Sequence, residues 1–193
     1  MLAAVILAAG ESSRMGTPKA LLIYEGRPFL EHLLEITRHP EIGATRVVLG
    51  ANAEEIREHA ALDPETVVVN PEWNQGQLSS IQAAIRSLPA GTDGILLCLI
   101  DHPLISAALV AELVDRFYAS KKPIVIPAYS GRRGHPVIFS SQLYPELLAA
   151  PLDTGARAVV WAHKAEVLEV PTSEQGVVLN LNDPETLRRA LGK

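Results

Sequence analysis

An α/β fold, a mainly parallel sheet flanked by helices, is what this sequence predicts. Short apolar runs alternate with helix-length segments along the chain, the pattern of repeated strand-helix units. The runs are apolar on both faces, as strands must be when helices cover each side. Hydrophobic residues make up 48% of the chain and aromatics only 5%, which suits a core built from Ala, Val, Ile and Leu.

The elements follow in order. Residues 2–9 are an unbroken apolar run that stops at Gly10, a buried strand. A helix is expected at 28–38, a strand at 46–50, a helix at 53–60 and a strand at 66–69. Gly76 opens a helix at 77–87. Residues 95–100 form an apolar strand that ends on Asp101, and Ser106 is placed to cap a helix at 106–120. A strand at 123–127 is followed by weaker candidates at 136–139 and 165–170, with helices at 142–149 and 154–163 between them. Asp183 caps a last helix at 184–191, and Pro184 suits its first position. No repeat, low-complexity stretch or linker interrupts the 193 residues. They read as one domain of two halves, 1–122 and 123–193.

Composition narrows the function. The formal net charge is −5 with no basic block, which argues against a nucleic-acid surface and requires a local cation cluster for any anionic ligand. A single cysteine, Cys98, lies in an apolar run; it rules out a disulfide framework and reads as a buried thiol. The longest apolar stretches are strand-length, and no cationic start precedes a cleavable apolar segment. A cytoplasmic protein without membrane contact is expected.

Residues 7–19, LAAGESSRMGTPK, carry the strongest signal. Leu7, Ala8 and Ala9 end the first strand, and Gly10 and Gly16 keep the following loop open. Small residues let backbone N–H groups approach an anion, Ser12 and Ser13 add hydroxyl donors, and Arg14 and Lys19 bring two charges. This is the chemistry of a polyphosphate cradle. It is not a Walker A loop, since no Gly-Lys-Ser/Thr triplet follows, nor the dinucleotide fingerprint, since the glycines stand six positions apart. The plain alternative is a strand-to-helix turn with two surface cations.

Four further constellations stand out. Asp101 is delivered at the C-terminal end of an apolar strand, the edge where ligands sit in open α/β sheets. There it can hold Mg²⁺ through a hard oxygen, or merely cap the following helix. His102 beside it can touch a ligand or, more simply, sit as a solvated turn residue. Gly76, Ser79 and Ser80 form a donor-rich helix start fit for a ribose, a base edge or a phosphate, with ordinary capping as the alternative; Trp73 nearby reads as packing. Arg132 and Arg133 on a turn before Gly134 can grip a second phosphate or sit at a solvated hairpin tip. Asn180 and Asn182 fall on one side of an extended segment.

The 7–19 segment resembles the signature loop of the molybdenum cofactor nucleotidyltransferases, part of a larger class that joins a nucleoside triphosphate to a phosphorylated acceptor. Other segments extend the resemblance over most of the chain. Asp101-His-Pro103 matches an Asp-x-Pro whose Asp serves the metal. Gly76-x-x-Ser79-Ser80 matches a segment near the nucleoside, and Gly134-His135-Pro136 one on the acceptor side. Asp153-x-Gly-Ala-Arg157 resembles the cytidylyltransferase branch, though Leu152 stands where Gly often precedes the Asp. Ala8-Ala9-Gly10 also resembles the cytidine users, whereas Asn180-x-Asn182 is closer to the guanosine users and replaces a charged metal ligand with a neutral one.

The resemblance implies a Rossmann-like, nucleotide-diphospho-sugar transferase architecture of the glycosyltransferase A type. It implies a Mg²⁺-dependent enzyme that transfers CMP from CTP to molybdopterin with release of pyrophosphate. Lys19 and Arg14 would stabilise the reacting phosphates. Asp101, with Asn182, would hold the metal. Arg133, Gly134, His135, Pro136 and Arg157 would face the acceptor. A molybdoenzyme would be the client. Two alternatives stand beside it: a guanylyltransferase or a transferase for another phosphorylated acceptor, and an accessory protein that hands over cofactor without turnover.

Overall fold

A computed structural model describes residues 1–13 and 15–190 of the chain. Its centre is β1 (Leu2–Ala8), buried at every residue. A strand with no polar side chain has no face to offer water, so it is driven into the middle of a sheet covered on both sides. A small hairpin of β2 (Ile23–Tyr24) and β3 (Arg27–Pro28) follows, then α1 (Phe29–Ile36), β4 (Ile42–Leu49), α2 (Ala53–His59) and β5 (Val67–Val69). Next come α3 (Gln77–Arg86), β6 (Gly94–Leu99), α4 (Ala107–Ser120), β7 (Ile124–Tyr129), β8 (Arg132–Arg133) and β9 (Val137–Ser140). The described chain closes with α5 (Tyr144–Ala149), α6 (Arg157–Ala162), β10 (Val167–Pro171) and α7 (Pro184–Ala190).

The main sheet has the order β10-β7-β9-β6-β1-β4-β5, with β8 paired to β7. β1 runs parallel to β4 and β6, β5 parallel to β4, and β10 parallel to β7. β9 lies antiparallel between β6 and β7, and the two-residue β8 pairs antiparallel with β7. This is the expected mainly parallel sheet. Alternation along β1 sends Leu2, Ile6 and Ala8 into one apolar cluster, with α1 and α4, and Val5 and Leu7 into another, with α3, α5 and α6. Because β1, β4, β5 and β6 share a direction, the loops that leave their C-terminal ends open on one edge. No described helix is long and apolar enough to cross a membrane.

The expected elements are present with shifted limits. β4 begins at Ile42 rather than residue 46, because its ladder with β1 starts at the Leu2–Ile42 pair although Gly43 and Ala44 carry little apolar signal. The helix expected at 154–163 begins only at Arg157, since Gly155 turns the chain at φ +73°. The helix expected at 142–149 is a 3-10 turn, Ser141–Leu143, running into α5. The two expected caps are made: Ser106 Oγ accepts from the Leu109 N–H at 3.0 Å, and Asp183 Oδ1 accepts from the Thr186 N–H at 2.8 Å. Arg14, and position 191 of the last expected helix, lie outside the described residues.

Two glycines let three loops close on one another. A Cβ at Gly176 would lie 1.5 Å from the Leu104 carbonyl oxygen, and one at Gly134 would lie 2.1 Å from that of Val177. The turn after β10 is thereby pressed onto the loop after β6 and the loop before β9. The Leu181 N–H donates to the Asp101 carbonyl at 2.8 Å, and the His135 N–H to the Val177 carbonyl at 2.8 Å. Glu174 reinforces the junction, accepting from the Ser106 N–H at 2.9 Å and from its hydroxyl at 2.5 Å.

His163, at the end of α6, ties that helix to α5. Its Nδ1 faces Glu166 at 2.7 Å and its Nε2 faces Glu146 at 2.9 Å. Hydrogen bonds from Glu166 and then Glu146 raise its pKa above the ordinary 6.5. A raised folded pKa stabilises the fold fully below the unfolded value and ceases to as pH climbs through the folded one. His163→Gln should therefore lower the melting temperature by about 2–4 °C at pH 6, a typical surface-pair effect, and by less at pH 9. A melting difference that does not change with pH would contradict this assignment.

Candidate active site

The loop after β1 is built around its own polar groups. Ser12 takes a left-handed conformation at φ +55°, its hydroxyl accepts from the Lys19 N–H at 3.1 Å, and its carbonyl accepts from the Met15 N–H at 2.9 Å. The Asn52 amide holds the loop from outside, donating to the Glu11 carbonyl at 3.0 Å. A short 3-10 turn, Lys19–Leu21, with Ala20 buried beneath it, then aims Lys19 inward. Lys19 Nζ donates to Asn182 Oδ1 at 2.5 Å and lies 4.0 Å from Asp101 Oδ2. Side-chain exposure is only 15% for Lys19 and 19% for Asp101. The lysine is thus a positioned ammonium, not the freely solvated loop cation that a surface turn would carry.

This cluster sits at one side of a cavity of about 350 Å³, lined by Leu7, Ala9, Gly10, Lys19, Gly76, Ser80 and Asp101, with Trp73, Asn74 and Gln77 closing it. Six of the residues expected at a nucleotide, Leu7, Ala9, Gly10, Lys19, Gly76 and Ser80, therefore line it together. Five of the described ones, Ala8, Ser12, Ser13, Gly16 and Ser79, do not line it; the Ser12 hydroxyl is taken up by the Lys19 N–H. Ala8 points to the opposite face of the sheet and packs with α1 and α4, as strand alternation requires. Ser13 and Gly16 are exposed on the loop, outside the cavity lining. Ser79 is buried and its hydroxyl is turned into the fold, its one hydrogen shared between the carbonyls of Glu72 (2.9 Å) and Gly76 (2.8 Å) while its oxygen accepts from Asn70 Nδ2. Asn70 is the hub of that turn. It is buried, it donates to both Ser79 and Ser80, and it accepts from the Glu72 N–H at 3.0 Å.

A second cavity of about 630 Å³ adjoins the first through Gly76 and Gln77. Arg133, Gly134, His135 and Arg157 line it, as expected of an acceptor side, while Pro136 is buried and does not. Arg133 is held by Glu169, its guanidinium 2.7 and 2.8 Å from one carboxylate oxygen. Two imidazoles, the buried His102 and the half-buried His135, lie 5.1 Å apart. Burial pushes the His102 pKa below its ordinary value and that of His135 down to about 3, with His102 adding to the second shift. Both rings are therefore neutral near pH 7. His102 is a core residue, not the solvated turn residue its position suggested.

The donor set suits a hard cation. Asp101 offers a carboxylate and Asn182 an amide oxygen, and both already converge on one positive group, the Lys19 ammonium. No group of three or more His, Cys, Asp or Glu among the described residues is arranged to hold a metal. Mg²⁺ is commonly held by one or two carboxylates, with substrate phosphates and water completing its shell. The residues fit a divalent ion that arrives with a triphosphate.

Sequence reasoning gave no role to Asn74, Gln77 or Trp161, which line the cavities, and took Trp73 as packing. Trp73 does both jobs: a Cβ at Gly50 would lie 2.6 Å from its own Cβ, and its ring closes the smaller cavity. The signal for all four was only that polar and aromatic residues crowd around Gly76 and follow Gly155.

A Gly-containing loop at the head of a mainly parallel sheet, facing a carboxylate across a shared cleft, is the arrangement of the nucleotide-diphospho-sugar transferase fold. The family model for the MobA-like NTP transferase domain matches residues 4–167, and the chain belongs to that family. Nicotine blue oxidoreductase of Paenarthrobacter nicotinovorans is 36% identical over 164 residues, covering 79% of this chain and 78% of that protein. Molybdenum cofactor guanylyltransferase of Rhizobium meliloti (strain 1021) is 30% identical over 201 residues, covering 97% and 89%. The crystal structure of Rv0371c from Mycobacterium tuberculosis H37Rv superposes with a TM-score of 0.84 at 29% identity, covering 100% of this chain and 99% of that one. The same protein is also solved in complex with manganese, at a TM-score of 0.83 and 28% identity, covering 100% and 98%.

Proposed function

We propose that this protein is a Mg²⁺-dependent nucleotidyltransferase that moves CMP from CTP to a molybdopterin-type acceptor and releases pyrophosphate. The observation that carries the reading is the pair of cavities joined at Gly76 and Gln77, with Lys19 and Asp101 on the smaller one and the arginines on the larger. The whole chain acts as one catalytic unit. Residues 1–122 supply the nucleotide side and 123–193 the acceptor side, except that Asn182 returns to the nucleotide side to meet Lys19.

A terminal phosphate oxygen of the acceptor attacks the α-phosphorus in line; the new P–O bond forms as the bond to pyrophosphate breaks. Such chemistry asks the protein for position and charge neutralisation more than for covalent work. Lys19, together with Arg14, stabilises charge on the reacting and leaving phosphates. Asp101 and Asn182 hold the metal, which when bound shields the triphosphate. The backbone of the 10–16 loop cradles the phosphates, and Gly76 and Ser80 shape the nucleoside side. Arg157 and the Glu169-oriented Arg133 meet the acceptor phosphate, with His135 beside them as a neutral hydrogen-bonding group. The product serves a molybdoenzyme client.

The choice of CTP rests on Ala9, whose methyl group narrows the smaller cavity and favours a pyrimidine over a purine. GTP is the second reading. It draws on the guanylyltransferase of Rhizobium meliloti, similar along nearly the whole chain, and on the Asn180-x-Asn182 segment. Catalytic efficiency should favour CTP over GTP by about tenfold or more, and Ala9→Gly should relax the ratio, on the scale of one pocket feature. A parent enzyme that prefers GTP replaces the cytidylyl reading with the guanylyl one. The oxidoreductase relative motivates a further control: absence of pyrophosphate release with either nucleotide, under molybdopterin and Mg²⁺, would overturn nucleotidyl transfer altogether.

A further inference from the structure

We propose that Trp161 is the platform on which a planar heteroaromatic acceptor stacks, and that it makes the larger cavity selective for such rings over sugars. The inference rests on the nucleotidyl-transfer reading of the adjoining cavity. Trp161 stands on α6 with 62% of its surface exposed, and it lines the cavity. An indole is the largest apolar side chain a protein has, and leaving it in water forgoes the burial that it would gain in a core. None of the ring contacts among the described residues involves it. Its neighbours on the helix make the exposure more telling: Val159 is buried, and Val160 packs toward the core beside it.

The rest of the cavity has the character of a slot for a flat ring. Its walls include Leu97, Ile126, Val137, Phe139, Leu152 and Val160. A sugar carries hydroxyls around its whole edge and needs a polar partner for each, because a hydroxyl buried without one is penalised. Apolar walls supply few. A fused heteroaromatic ring instead offers two apolar faces and confines its polar atoms to the rim, where His135 and Thr154 are within the lining. Arg133 and Arg157 line the same cavity and suit a phosphate attached to the ring. A volume of about 630 Å³ accommodates a bicyclic ring with a phosphorylated side chain. Gly76 and Gln77, shared with the smaller cavity, put that phosphate on the path to the nucleotide.

The test is calorimetric titration, with Mg²⁺ present, of the parent and of Trp161→Ala, Trp161→Leu and Trp161→Phe. The probes are neopterin monophosphate and glucose 1-phosphate, with CTP and GTP as controls for the other cavity. The position is exposed, so the variants should fold, and melting curves verify it. Stacking predicts that neopterin monophosphate binds the parent, binds about tenfold more weakly to the Ala and Leu variants, and stays within about threefold of the parent in the Phe variant. Nucleotide affinities should not move. Equal pterin affinity in all four proteins overturns the proposal, and so does binding of glucose 1-phosphate in place of the pterin. A parent that binds neither CTP nor GTP overturns the underlying reading instead, and Trp161 then stands or falls on the pterin series alone.

Discussion

Lys19→Ala is expected to lower turnover by about two orders of magnitude or more, the scale of losing one preorganised charge-stabilising donor. The reasoning begins with the backbone. Pro18 cannot donate a hydrogen bond, and the next N–H, that of Lys19, is held by Ser12 at 3.1 Å, so the side chain starts from a fixed point. Its ammonium then rests 2.5 Å from Asn182 Oδ1 and 4.0 Å from Asp101 Oδ2, before any substrate is present. Little reorganisation is needed when a triphosphate arrives, which is what makes such a cation effective. The substitution should act on kcat more than on KM, because charge on the bridging oxygen grows as the bond to pyrophosphate breaks. Stability should change modestly, by about 2–4 °C in melting temperature, the scale of one partly exposed polar contact. A steady-state assay of pyrophosphate release decides it. Near-normal turnover would remove Lys19 from the reaction and the phosphate cradle with it.

The parts of this site that were legible in the sequence are those carried by local pattern. β1 was legible because seven buried residues in a row have only one home in a sheet. The Asp101 position was legible because a strand that ends in an acid delivers it to the ligand edge. The caps at Ser106 and Asp183 were legible because capping is a relation between neighbours. What escaped depends on distant contacts. Alternation set Asn182 on one side of its segment, but a role for it came through resemblance alone; it meets Lys19, 163 positions away in sequence, only because Gly176 lets its turn sit against Leu104. Ser79 illustrates the reverse error. A serine at a helix start looks like a donor for a ligand, but here Asn70, Glu72 and Gly76 take up its hydroxyl. Ala8 was within reach of sequence reasoning, since alternation along β1 allows only one of Ala8 and Ala9 to face the cavity. The β2–β3 hairpin and β8 have two residues each, too few to show a period.

Asp101→Asn should cut activity steeply at ordinary metal concentration and recover in part when Mg²⁺ is raised. The replacement keeps the shape and one hard oxygen and removes the charge. Within the described residues no arrangement of three or more acidic, histidine or cysteine groups offers the ion another protein home, and Asn182 brings no charge of its own. The metal must then be held mainly by the triphosphate, so its apparent affinity falls while the chemistry that it supports survives. The backbone around the position should stay in place, because the Asp101 carbonyl, which accepts from the Leu181 N–H at 2.8 Å, is untouched. A second consequence follows from the 4.0 Å contact with Lys19. With the carboxylate gone, the ammonium loses an opposing charge and is freer to pair with phosphate, so nucleotide affinity measured without metal should hold steady or rise. A capping residue would behave otherwise: melting temperature would fall, and the Mg²⁺ dependence of turnover would match that of the parent. Initial rates across a Mg²⁺ series, set beside metal-free nucleotide titrations, separate the two roles. Unchanged metal dependence would place the ion away from Asp101.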